Sequence, residues 1–214
     1  MSLSLDDIGL KYTYDYGSGK NYKGGDKTSI GKGFTTSYES LFVTIKNNPI
    51  NLLELGVLCG KSLAMWSDYF TNGMIYGIDI SLENFYENKF ILKKNGAFKY
   101  NNVKVYETDI TKNNFVDLIH DMPNFDIIID DALHQPDVQL NNFKILFPKL
   151  NRGGYYIIED IISPVEFSDY FKDIYMCVTN FESNMVKKNK FYPLANKIES
   201  ITIKQNLIII KKFN

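Results

Sequence analysis

Two apolar runs, Phe125–Ile129 and Tyr155–Ile158, each end on a pair of acids, Asp130–Asp131 and Glu159–Asp160. The segment between them carries Val138, Leu140, Phe143, Leu146, Phe147 and Leu150 at helical spacing. A strand–helix–strand unit of this size closes as a right-handed crossover between parallel strands. Both acidic pairs then leave the sheet at its carboxyl-terminal edge, where open α/β sheets bind their ligands. Carboxylates crowded into one crevice repel each other unless a cation sits among them. His134 follows the first pair by one short turn, so the pattern reads as a metal site with a base beside it.

The rest of the chain repeats the alternation. Strand-like runs stand at Asn51–Leu55, Met74–Ile80 and Val103–Glu107, in addition to the two above. Helical spacing is read at Thr35–Asn47, Ser62–Phe70, Leu82–Lys94, Asn113–Asp121 and Asp137–Leu150. This order predicts one α/β domain over residues 1–214 with a Rossmann-like, doubly wound, mostly parallel sheet. The tail differs: Ser200–Lys204 and Leu207–Lys212, joined at Gln205–Asn206, predict an antiparallel hairpin on one sheet edge, for seven strands in all. Residues 1–34, with GSGK, NYKGGDKTS and GKGF, read as an irregular arm or lid.

Composition narrows the function. A formal net charge of −1 leaves no basic stripe, so nucleic acid is not expected as a partner. The apolar runs are strand-sized, well short of the roughly 20 residues of a membrane span, and no membrane partner is expected. The start lacks the pattern of a secretory signal. The two cysteines, Cys59 and Cys177, suit a reducing cytoplasm better than a disulfide framework.

At the amino-terminal half, LLELGVLCGKSLAMW sets Gly56 and Gly60 around the turn between a strand and a helix. Such glycines let backbone approach a ligand and aim helix N–H groups at it. The spacing is E-x-G-x-x-x-G, not the dinucleotide G-x-G-x-x-G, which counts against an NAD-dependent dehydrogenase. Asp79 ends the next strand, where a carboxylate accepts hydrogen bonds from both hydroxyls of an adenosine ribose. Asp109 follows the third strand, where an adenine amino group is held.

Together the runs ELGVLCGKSLAMW, IYGIDI, DIIIDDALHQ and LFPKLNRGGYYIIED resemble the metal-dependent class I S-adenosylmethionine O-methyltransferases that act on sugars, among them the deoxysugar O-methyltransferases of macrolide and tetracenomycin pathways and the rhamnosyl O-methyltransferase group. The resemblance extends from Gly24-Gly25-Asp26-Lys27, which stands where family members carry G-T-D-K, to Asp160. It implies the class I methyltransferase fold, S-adenosyl-L-methionine as cofactor, and Mg2+ or another divalent cation held by Asp131, Glu159 and Asp160. It implies His134 as general base, with Asp131 also part of the catalytic group, and Glu54, Gly56, Gly60, Ser62, Asp79 and Asp109 as cofactor-binding positions. The implied acceptor is a sugar, a nucleotide sugar or a glycosylated metabolite, and homo-oligomers are common in such relatives. Where the family favours D-D-G-S-H, this chain has Asp130-Asp131-Ala132-Leu133-His134, a tighter and more apolar version.

The chemistry asks for such groups. A sugar hydroxyl is a poor nucleophile, and a divalent cation on that oxygen lowers its pKa and orients the attack on the sulfonium methyl. Imidazole changes charge near neutral pH and suits proton removal there. Duller roles are assigned to Asp130, read as structural, to His120 as a surface or satisfied core residue, and to Cys59, Trp66 and Tyr69 as packing. Lys187, Lys188 and Lys190 read as a solvated loop, with phosphates of a nucleotide sugar as the alternative contact. The rival functions are a catechol-like aromatic O-methyltransferase, whose base is commonly lysine, and a non-catalytic nucleotide-binding scaffold.

Overall fold

The structure, a computed structural model, describes residues 3–14, 22–179 and 184–214. The GSGK segment lies outside them. Two compact units are formed, residues 1–109 and 110–214. The first runs α1 (Leu5–Lys11), β1 (Thr13–Tyr14), β2 (Tyr22–Lys23), α2 (Phe34–Phe42), β3 (Asn51–Leu55), α3 (Lys61–Tyr69), β4 (Met74–Asp79), α4 (Glu83–Lys94) and β5 (Val103–Glu107). The second continues with α5 (Asn113–Asp121), β6 (Phe125–Asp130), α6 (Pro136–Leu146), β7 (Leu150–Glu159), α7 (Pro164–Thr179), α8 (Asn184–Lys187), α9 (Tyr192–Ala195), β8 (Ile198–Lys204) and β9 (Leu207–Lys212).

The seven strands from β3 onward form one sheet in the order β5-β4-β3-β6-β7-β9-β8. Strands β3 and β4, β4 and β5, and β6 and β7 pair in parallel, while β9 runs antiparallel to β7 and to β8. The mostly parallel sheet with a carboxyl-terminal hairpin is therefore the fold the sequence predicts. Strands β3, β4 and β6 are apolar almost throughout because sheets covered on both faces bury successive side chains. In β3 Leu52, Leu53, Glu54 and Leu55 are all buried, and in β6 Ile127–Asp130 are.

In the first unit Trp66 of α3 packs edge-on against Tyr38 and Phe42 of α2, and Tyr69 meets Phe70 at right angles, so both are core residues. A Cβ on Gly77 would come 2.8 Å from Leu63 and Val57, which shows how closely α3 lies on β4. The amino-terminal arm departs from the irregular reading: Leu5–Lys11 is a helix with a Ser4–Asp7 capping box. The arm is also tied down. Glu39 accepts from the Leu5 N–H at 2.5 Å, and the Tyr12 hydroxyl donates to Asp68 at 2.5 Å. Asp6 accepts from both Ser29 and Thr35.

In the second unit α6 stops at Leu146, short of the predicted Leu150, because Pro148 follows and residues 147–149 tighten to a 3-10 turn. Strand β7 begins at Leu150, earlier than the predicted Tyr155. Helix α7, at 16 residues, has no counterpart in the sequence reading. Its buried residues Phe167, Phe171, Ile174 and Cys177 recur at helical spacing. Phe167 stacks on Phe171, and Phe143 of α6 touches Phe147, Tyr156 and Phe171.

Candidate active site

The turn after β3 is shaped by the strand end beside it. Asp79 Oδ2 accepts from the backbone N–H groups of Val57 at 2.7 Å and Leu58 at 2.8 Å. These bonds hold Leu58 at φ 49, a left-handed conformation that costs a side-chain-bearing residue about 1–2 kcal/mol. Gly56 and Gly60 take φ 89 and φ 74 on either side. Asp79 Oδ1 accepts from the Ser81 N–H at a longer 3.2 Å. A carboxylate offers about four acceptor positions, so Asp79 retains capacity for ribose hydroxyls beside the turn it organises. The next strand end is fastened to it, with the Thr108 N–H donating to the Asp79 carbonyl at 2.7 Å. Half-buried Asp109 follows directly.

Glu54 and Ser62 lie together and engage each other. The Ser62 hydroxyl donates to Glu54 Oε2 at 2.7 Å, while Glu54 Oε1 stands 3.4 Å from Lys27 Nζ with both side chains buried. Lys61, the first residue of α3, runs over Gly25 so closely that a Cβ there would overlap its Nζ. Burial lowers the Lys61 ammonium to about 8, against the pull of Asp26 and Glu54. Burial works to raise Asp26, yet Lys27, Lys32 and Lys61 hold it below the usual carboxylate range. The Gly24–Lys27 segment is thus a charged strap across the start of α3. Sequence reasoning named that segment by its resemblance but missed Lys27 and Lys61 as the groups that fix it.

In the second unit Asp131, His134 and Asp160 each place a donor atom within 4.8 Å of the others, and all three are half-buried. His134 Nε2 lies 3.7 Å from Asp160 Oδ2. Asp160 sits at φ 56, a left-handed turn off the end of β7, and its N–H is held by the Asn206 carbonyl at 2.9 Å. Strain of this kind in a non-glycine residue concentrates at functional sites. Glu159, predicted as a third acidic ligand, is fully buried and stands outside this group, in which His134 takes the third place. The donor set, two carboxylates with an imidazole beside them, suits a divalent cation, which Asp131 and Asp160 would hold.

Helix α6 fixes both strand ends. Asn142 Nδ2 donates to Asp130 Oδ2 at 3.0 Å, and Gln139 Nε2 donates to the Glu159 carbonyl at 3.2 Å. The Tyr156 hydroxyl donates to the same Asp130 oxygen at 3.3 Å. Asp130 is thus a structural anchor, as read from the sequence, and burial with Asp131 next to it pushes its carboxyl up to about 7. A carboxyl raised in the folded state binds its proton more tightly there than in the unfolded chain, where 3.8 is usual. Its contribution is therefore greatest below pH 4 and is lost as pH rises toward 7. In chelator, Asp130→Asn should gain stability over wild type between pH 4 and pH 8, by up to about 4 kcal/mol. Urea unfolding at the two pH values checks this; a constant difference would remove Asp130 as the titrating group.

His120 is exposed, Cys59 is buried in the glycine turn, and Lys187, Lys188 and Lys190 are exposed, each as read. Lys190 and Lys144 both lie 5.2 Å from the Phe191 ring. Among the described residues no helix is long and apolar enough to cross a membrane.

A methyltransferase-domain family profile matches residues 53–161, a span that opens in β3 and closes just past Asp160. Two relatives come from Streptomyces olivaceus. The 8-demethyl-8-(2-methoxy-alpha-L-rhamnosyl)-tetracenomycin-C 3'-O-methyltransferase is 32% identical over 143 residues, covering 64% of this chain and 34% of that protein. The 8-demethyl-8-alpha-L-rhamnosyl tetracenomycin-C 2'-O-methyltransferase is 30% identical over 145 residues, covering 64% and 35%. The chain thus spans about a third of the length of these relatives. The MycE methyltransferase of the mycinamycin pathway, solved with Mg and SAH, superimposes on 100% of this chain and 55% of its own with a TM-score of 0.74 at 21% identity, a likeness of fold. The matched span holds the glycine turn, Asp79, Asp109, Asp131, His134 and Asp160, and the chain belongs to the methyltransferase-domain family.

Proposed function

We propose that the chain is an S-adenosylmethionine-dependent O-methyltransferase that methylates a sugar hydroxyl of a glycosylated small molecule, with a divalent cation at Asp131 and Asp160 and His134 as base. The observation that carries the proposal is the convergence of Asp131, His134 and Asp160 at the ends of β6 and β7. The names of the two rhamnosyl-tetracenomycin relatives support a sugar acceptor. Histidine, where catechol-type enzymes commonly use lysine, favours the sugar over an aromatic diol.

Bound at this group, magnesium would supply Lewis acidity toward an acceptor hydroxyl and set its orientation. The residues do the rest. Asp79, Asp109 and the Gly56–Gly60 turn hold the adenosine of the methyl donor. Glu54 and Ser62, which bond to each other beside Lys27, are further cofactor-binding positions. Asp131 and Asp160 are the acidic ligands. His134 accepts the hydroxyl proton as the new C–O bond forms. The C–S bond breaks in line, and its electron pair stays on sulfur, which leaves as a neutral thioether.

Calorimetry with S-adenosylmethionine and its demethylated product, beside NAD as a control, tests the cofactor half. One-to-one binding of the sulfur ligands without NAD binding is expected. Binding of NAD alone would defeat the proposal.

A further inference from the structure

We infer that Gln139 is a positioning residue: its side chain and the Asn206 carbonyl grip the Glu159–Asp160 peptide and hold Asp160 in the left-handed conformation that brings its carboxylate to Asp131 and His134. The inference rests on the reading of those three donors as the cation and base group.

One peptide unit carries the geometry. Its carbonyl, that of Glu159, accepts from Gln139 Nε2 at 3.2 Å. Its N–H, that of Asp160, donates to the Asn206 carbonyl at 2.9 Å. The first hold comes from α6 and the second from the turn between β8 and β9, so two separate elements grip the peptide plane. Rotating that plane would break both bonds, and the Gln139 bond is buried, where water does not readily replace it. The plane lies at the near end of the Asp160 φ bond. A value of 56 there persists in a non-glycine residue only where the surroundings over-determine it.

Gln139 is itself kept in place by a neighbour. Asn142, three residues on and so on the same face of α6, donates to Asp130 Oδ2 at 3.0 Å. Asp130 pairs with Ile158 in the β6–β7 register, so the two amides reach adjacent strand ends. The core gains little from them. Gln139 is 1% exposed and Asn142 0%. Among the described residues Gln139 Oε1 and Asn142 Oδ1 are buried without a hydrogen-bond partner, a cost that an apolar side chain would avoid. Leu140, Phe143 and Leu146 supply the buried apolar face of the same helix. Two costly amides whose nitrogens both reach the strand ends that lead into the donor group fit a positioning role. Groups that orient a metal ligand from behind are typically worth about 10–100-fold in metal affinity.

Mn2+ takes the same oxygen donors as magnesium, and its binding is read directly by electron paramagnetic resonance. Gln139→Met keeps an unbranched, helix-forming side chain and removes the donor. It should bind Mn2+ at least about 10-fold more weakly than wild type, with affinity for S-adenosylhomocysteine unchanged. A role in stability alone would move the urea midpoint in chelator and leave Mn2+ affinity as it was. Asn206→Gly keeps the carbonyl and suits the φ of 55 at that exposed turn, so it should bind Mn2+ like wild type. Valine takes such a φ only with strain, so Asn206→Val displaces the carbonyl and should weaken Mn2+ binding by about 10-fold. Wild-type Mn2+ affinity in Gln139→Met would overturn the inference, as would equal affinities of Asn206→Gly and Asn206→Val. If Gln139→Met does not unfold cooperatively, the Asn206 pair decides alone. Wild type and Asp160→Ala are titrated first. Mn2+ binding that Asp160→Ala leaves intact defeats the cation reading itself, whereas weakened binding there beside an unchanged Gln139→Met removes this inference only.

Discussion

Asp131→Ala should reduce methyl transfer by on the order of 10³-fold or more while leaving affinity for S-adenosylmethionine within about 2-fold of wild type. The separation follows from position. Asp131 belongs to the group with His134 and Asp160 at the ends of β6 and β7. The groups assigned to the cofactor, the Gly56–Gly60 turn with Asp79 and Asp109, belong to β3, β4 and β5. Removing one acidic ligand lowers the affinity for the cation and with it several kcal/mol of activation of the acceptor oxygen, each 1.36 kcal/mol being a factor of ten in rate. Calorimetry with Mg2+ should show weakened metal binding in the variant. Asp131 is half-buried, and the anchoring bonds of this loop are made by Asp130 to Asn142 and Tyr156, so the fold should survive. Full turnover of wild type in excess chelator, or of Asp131→Ala without added magnesium, would remove the metal from the mechanism.

Much of this was legible in the chain. The strands Asn51–Leu55 and Val103–Glu107 and the helix Asn113–Asp121 fall where apolar patterning puts them, because each is bounded by polar or glycine-rich turns. Paired acids at strand ends marked the positions that gather near His134, since a right-handed crossover leaves little choice about which sheet edge they reach. The missed elements have physical reasons. Helix α7 opens on Pro164, and its aromatic and β-branched residues are weak helix formers, so its face of Phe167, Phe171, Ile174 and Cys177 was the main signal. Helix α1 is one short segment whose cap, Ser4 with Asp7, was visible but not read. At the site, sequence order alone could not tell that Glu159, last in β7, faces burial while Asp160, turned left-handed at φ 56, carries its carboxylate to Asp131 and His134. Nor could it tell that Asp79 binds the turn N–H groups of Val57 and Leu58 as well as standing where a ribose is held. Both facts depend on backbone torsions that one residue decides.

His134→Ala should lower the rate by on the order of 10²–10⁴-fold, the usual worth of a positioned proton acceptor. Geometry sharpens the test, since His134 Nε2 stands 3.7 Å from Asp160 Oδ2, inside the donor group itself. As a base, the imidazole leaves metal affinity nearly unchanged when removed. As a ligand, it lowers metal affinity together with the rate, and the preference should then shift from magnesium toward metals that favour nitrogen. Among the described residues His134 Nδ1 is buried without a hydrogen-bond partner. His134→Asn separates catalysis from loop order. Asparagine can donate a hydrogen bond that orders the turn before α6, but it cannot accept the proton at neutral pH. Near wild-type turnover in His134→Asn would show that the residue orders the loop and that the proton leaves by another route. A rate as low as that of His134→Ala, with Mg2+ and S-adenosylmethionine still bound at wild-type affinity, is the outcome the base role requires.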